Sequence, residues 1–133
     1  MQIRKEGLSY LKKSLGELPP GDIRVSSLYP PEKARTKSPV WWLQPPLKKL
    51  NIGEKIHLLC KNENGKDFHY LCVPVKDIEG FLKKSDLEIR SIKEGGEFIH
   101  LELSARPDDL FQDLRGKGRV NFAKYLVELT NKD

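Results

Sequence analysis

The sequence predicts an α+β fold: an N-terminal helix, a mostly antiparallel sheet of about five strands that can curl towards a barrel, and short C-terminal helices. Three observations lead there. Leu8, Leu11, Leu15 and Leu18 recur at three- and four-residue spacing, the period of one helical face. Two pairs of short apolar segments, 55–61 with 67–73 and 87–92 with 97–103, are joined through glycine-containing turns, as in β-hairpins. The 133 residues, 38% hydrophobic and 32% charged, match one domain over 1–133 with a core of ordinary size.

The first helix is expected from Gln2 to Leu18, with Gly16 weakening its end and Pro19-Pro20-Gly21 stopping it. Lys12 and Lys13 fall off the leucine stripe. Ile23, Val25 and Leu28 allow a short strand before Tyr29-Pro30-Pro31 turns or extends the backbone. The tract from Glu32 to Pro39 has almost nothing to bury, so residues 29–39 read as a mobile basic loop. Val40-Trp41-Trp42-Leu43 follows as an apolar run ending at Pro45-Pro46.

Asn64-Gly65 sits midway between the strands of the first hairpin, a favoured pair for a two-residue turn in which both residues take positive φ. Pro74 places the second strand at an edge or near its end. Asp77 is positioned to cap a short helix through Ile78, Phe81 and Leu82. In the second hairpin, Ile99, Leu101 and Leu103 lie on one face, opposite Phe98, His100 and Glu102, so the second face is expected to be partly wet. A short helix is expected over Asp108–Leu114 and a terminal one from Asn121, where Phe122, Tyr125, Leu126 and Leu129 recur at helical spacing.

The formal net charge is +5, unevenly divided. Residues 1–61 carry twelve Lys/Arg against five Asp/Glu, whereas 62–133 carry twelve against fourteen, so attraction for phosphates concentrates in the first half. No stretch approaches the ~20 apolar residues of a membrane span, and no apolar segment of the secretory kind follows Met1; a cytoplasmic location is expected. Cys60 and Cys72 are too few to staple a mini-domain and are expected as reduced thiols.

His57-x-x-Cys60 and His69-x-x-Cys72 offer nitrogen and sulfur ligands of the zinc type. On strands, however, residues three apart point to opposite faces. A turn centred on Asn64-Gly65 sets His57 opposite Cys72 on one face and Cys60 opposite His69 on the other, which makes two separate pairs and no tetrahedral site. Neither a metal nor a cofactor is implied. Either pair could supply a Cys–His nucleophilic dyad, and Glu97, Glu102, Asp108 and Asp109 near His100 supply carboxylates for metal-dependent nuclease chemistry. Neither arrangement carries a recognisable motif.

The strongest functional signal is the succession Lys33, Arg35, Lys37 followed by Trp41 and Trp42. Cations attract phosphates irrespective of sequence, and an exposed indole stacks on an unpaired base. Adjacent residues on a strand face opposite ways, so one of the two tryptophans belongs to the core and the other is free for the surface. Arg115-Gly116-Lys117-Gly118-Arg119 adds cations and glycines that could wrap a phosphate, without the spacing of a nucleotide-hydrolysing loop.

The sequence therefore points to a non-catalytic nucleic-acid-binding module, DNA favoured over RNA, of the kind that serves as the recognition part of a restriction, repair or mobile-element assembly. Its expected contacts are Lys33, Arg35, Lys37, Arg115, Lys117 and Arg119 for phosphates, with Trp41 or Trp42 for a base or sugar. The alternatives are a protein-interaction domain, using the Leu8–Leu18 stripe or the sheet edge near Pro74, and a small metal-dependent hydrolase or nuclease using His69 or His100. Convergence of 33–42 and 115–119 on one concave surface favours the first reading; placement on opposite sides removes its support.

Overall fold

The computed structural model describes residues 3–34, 36–50 and 54–129. In chain order it runs α1 (Ile3–Leu15), β1 (Ile23–Ser26), β2 (Leu28–Tyr29), β3 (Val40–Leu43), β4 (Lys55–Lys61), β5 (Phe68–Pro74), α2 (Val75–Lys83), β6 (Glu88–Ile92), β7 (Gly96–Ser104) and β8 (Leu126–Val127). The class is α+β, as the periodicities require, but the strands form two four-stranded sheets, ordered β1-β4-β5-β8 and β2-β3-β7-β6. They do not close into a barrel. All pairings are antiparallel except β1 with β4. Around Ser27 the chain passes from the first sheet to the second.

Strand β4 explains the layering. Its Ile56, Leu58 and Cys60 belong to the main core with Trp41, Leu43, Ile99, Leu101 and Leu103 of the second sheet. Its Leu59 belongs to a second apolar cluster with Leu11, Ile23, Phe68 and Tyr70. Alternate residues of one strand thus feed two cores, and α1 covers the outer side. Gly7 lets α1 come close, because a Cβ there would press on the Val25 methyls at 2.6 and 2.8 Å.

The first hairpin has the expected register, with His57 opposite Cys72 and Cys60 opposite His69. Its turn is longer than a two-residue one. Asn62 N–H donates to Asp67 O at 2.7 Å, Gly65 N–H donates to Asn62 O at 2.9 Å, and only Gly65 takes positive φ, at 73°. A four-residue loop with the same centre gives the same pairing, so the register survives the change of turn. Strand β5 lies between β4 and β8, so Pro74 marks its end and no open edge exists at Tyr70 and Leu71, which pair with Val127 and Leu126.

Several expected elements are corrected. Helix α1 stops at Leu15, with Gly16 at φ 90° donating to Lys12 O at 2.7 Å, so the outer half of the leucine stripe, Leu15 and Leu18, is exposed. Asp77 does not cap α2, which begins two residues earlier after Pro74; its carboxylate accepts the Tyr125 hydroxyl at 2.7 Å instead. Residues 108–114 form a 3-10 turn at Pro107–Asp109 and then extended backbone bridged to Leu103 and Asn121.

The terminal helix is likewise replaced, by a 3-10 turn at Ala123–Tyr125 and the short strand β8. Phe122 and Tyr125 pack into the main core while Leu129 packs against the second cluster. One helical face cannot serve two cores on opposite sides of a sheet; an extended chain can. Nor is the face of β7 carrying Phe98, His100 and Glu102 wet, since all three are buried.

Candidate nucleic-acid interface

The outer face of the second sheet takes its side chains from the strand positions that alternate with the core. Val40 and Trp42 of β3 stand beside Ser104 and Glu102 of β7, and His100 stands beside Glu88 of β6. Helix α1 packs on β1, and α2 on β4 and β5, all strands of the first sheet. The loops after β2 and β7 cross the outer face of the second, and their polar side chains satisfy the polar groups of the strands, as burial demands.

The hydrogen bonds link His100, Glu102, Thr36 and Asp113 in one set, with Ser104 and Asp109 as a separate pair. His100, 0% exposed, meets Glu102, 3% exposed, with Nε2 3.0 Å from Oε2. Thr36 Oγ1 donates to Glu102 Oε1 at 3.1 Å. Asp113, buried, accepts from the backbone N–H of Glu102 at 3.2 Å, of Arg115 at 3.1 Å and of Gly116 at 2.9 Å. Ser104 Oγ donates to Asp109 Oδ1 at 2.5 Å. Burial holds the Asp113 carboxyl above its ordinary range, against the lowering effect of those backbone donors and of His100. His100 Nδ1 is buried without a partner.

Two cavities open on this face. One, of about 120 Å³, is lined by Tyr29, Lys33, Ala34, Val40, Trp42 and Glu102. The other, of about 340 Å³, is lined by Thr36, Ser38, Leu114 and Arg119. The Thr36–Glu102 hydrogen bond joins them. Trp42 is held edge-on by Tyr29, centroids 5.8 Å apart, and lies 5.6 Å from the His100 ring.

The predicted contact residues divide accordingly. Trp41 is 0% exposed, stacked on Phe111 at 5.4 Å, with Nε1 donating to Lys61 O at 2.9 Å; it is the core member of the pair and is out of reach of any ligand. Trp42, 39% exposed, is the surface member. Lys33, Lys37, Lys117 and Arg119 are exposed. Arg115 is half-buried and bonded to both oxygens of Glu88 at 3.1 and 2.9 Å, which ties it to the fold. Arg35 lies outside the described residues.

The glycines of 115–119 have a structural reason that spacing could not reveal. A Cβ at Gly116 would overlap the Asp86 carbonyl oxygen, and one at Gly118 the Asp86 side chain. The backbone N–H groups of Arg115 and Gly116 go to Asp113, that of Gly118 to Asp86 O and that of Arg119 to Gly116 O. These four are therefore not presented to a phosphate.

The histidine–cysteine pairs are accounted for in the first sheet. Pro20 O can only accept, so His57 Nε2 donates to it at 2.9 Å and His57 Nδ1 accepts the Tyr70 hydroxyl at 2.7 Å. Neither ring nitrogen is left to take a proton from Cys72, and no His–thiol dyad forms there. Burial lowers the proton affinity of His57 and His69 and raises that of the Cys60 thiol. His69 packs edge-on against both Trp41 and Phe111. Among the described residues, no three His, Cys, Asp or Glu side chains are grouped to hold a metal ion, and no helix is long and apolar enough to cross a membrane.

Compared with protein-family models, curated proteins and solved structures, the chain matches none.

Sequence reasoning placed His100 and Glu102 on one face but missed Tyr29, Ala34 and Thr36. The alternation of β7 carried the first signal. The second has no local signal, since a loop residue's partner depends on where the loop lands.

Proposed function

We propose that this protein is a non-catalytic nucleic-acid-binding module that contacts unpaired strands through the outer face of β2-β3-β7-β6. One observation carries the reading: the segments 33–42 and 115–119, far apart in sequence, line adjoining cavities, Lys33 with Trp42 in one and Thr36 with Arg119 in the other. Exposed Lys33, Lys37, Lys117 and Arg119 supply charge-assisted contacts to phosphates, and the partly exposed indole of Trp42 supplies a stacking surface. Burial of a polar network beneath them holds the face rigid.

The test is a salt titration. Binding of short single-stranded oligonucleotides weakens steeply with salt, and the slope of log K against log salt shrinks by about 0.7 for each phosphate contact removed in Lys33→Gln, Lys37→Gln and Arg119→Gln. Binding that is absent in dilute buffer, or indifferent to salt, refutes the reading.

A further inference from the structure

We propose that the cavity between Trp42 and Glu102 receives the base of an unpaired guanine within a bound strand. This rests on the nucleic-acid reading above and adds the identity of the base. The cavity is about 120 Å³, close to the roughly 150 Å³ that holds one benzene-sized ring. Being smaller than that, it takes the Watson–Crick edge of a base and leaves the rest of the ring outside. Its walls are apolar or aromatic at Tyr29, Ala34, Val40 and Trp42, and its two charged residues are Lys33 and Glu102.

The carboxylate decides which base. It presents about four lone-pair sites on two oxygens. His100 Nε2 occupies one on Oε2 and Thr36 Oγ1 one on Oε1, so each oxygen keeps capacity for one more donor. Two adjacent acceptors match two adjacent donors. Guanine offers N1–H beside its N2 amino group; adenine and cytosine offer a donor beside an acceptor, and thymine or uracil one N–H between two carbonyls. A carboxylate repels the acceptors of those three and bonds guanine at both oxygens. His100 and Thr36 fix the carboxylate for this, and exposed Lys33 at the same cavity, with Arg119 at the next, stands where the flanking phosphates run.

The experiment is fluorescence anisotropy with labelled short oligo-dT strands carrying one central dG, inosine, dA or dC, in dilute buffer. The dG strand binds about tenfold or more tightly than the dA, dC and all-dT strands. Inosine, which lacks the N2 amino group, falls between. Glu102→Gln removes the preference, so that the dG strand binds no more tightly than the dA, dC and all-dT strands measured with the same variant. Should Glu102→Gln fail to fold by circular dichroism, Ala34→Leu, which fills the cavity and keeps the carboxylate, reads the same loss. Equal, salt-sensitive binding of all strands overturns the guanine pocket and leaves the module reading standing. A dG preference unchanged by both variants also overturns the pocket. Silence towards every strand removes both readings. Free guanosine monophosphate competes only at much higher concentration than the strand; competition at equal concentration overturns the assignment to a strand.

Discussion

The two sheets are covered on their outer sides in opposite ways. Over β1-β4-β5-β8 lies α1, whose Leu11 joins Ile23, Leu59, Phe68 and Tyr70 in an apolar cluster. Over β2-β3-β7-β6 lie loops, and beneath them are His100, Glu102, Ser104 and Asp113, all buried. The first face gains stability from area removed from water. The second gives up that gain and must satisfy each polar group by a specific partner. A fold that needed only stability could have used apolar residues twice. The contrast teaches that the second face keeps specific polar partners where apolar packing would have served stability, and this is the difference on which the proposed function draws.

The contrast breaks if removing apolar bulk from the first face disturbs the second. Leu11→Ala is expected to cost about 2–5 kcal/mol in urea denaturation while oligonucleotide binding by the remaining folded protein stays unchanged; a matching loss of affinity would couple the two faces. Asp113→Ala strands the buried N–H groups of Glu102 and Gly116 and the part-buried one of Arg115 and is expected to cost about 1–3 kcal/mol, with weaker binding because Glu102 and Arg115 lose their anchor. Trp42→Ala, at a position 39% exposed, is expected to cost about 1–3 kcal/mol and to lower affinity for unpaired strands by about five-fold or more.

pH sharpens the comparison, because the two regions carry shifts of opposite consequence. Asp113, raised by burial, holds its proton better in the folded than in the unfolded state. Its contribution is complete below about 3.8 and is lost as pH rises through its folded value. His57, lowered by burial, contributes fully above 6.5 and loses that contribution as pH falls through its folded value; His69 has the same sign. Across pH 3 to 8, Asp113→Asn should remove a fall in the denaturation midpoint as pH rises from 3.8 through the folded Asp113 value, and His57→Gln a fall as pH drops below 6.5. The smallest effect is on reactivity alone: a thiol reagent should label the half-buried Cys72 in the native protein and reach buried Cys60 only on unfolding.

Much of this fold is legible in local pattern. The register of the β4–β5 hairpin follows from where its turn is centred, and the core faces of β4 and β7 follow from alternation. The division of Trp41 from Trp42 into core and surface follows from the same two-residue period. The chain's end misleads because Phe122, Tyr125 and Leu129 mimic a helical stripe while serving two cores. Gly116 and Gly118 mislead because their need for space is set by Asp86, some thirty residues away.

The sequence alone determined the secondary-structure class, the pairing of the hairpins and which side chains share a strand face, because those depend on periods and turns read within a few residues. Only the tertiary structure decided that the strands split into two sheets, that the face bearing His100 and Glu102 is buried, and that Thr36 and Arg119 come to lie beside it. Those outcomes depend on where loops cross and which layers cover which, and such contacts are made between segments whose local patterns carry no information about one another.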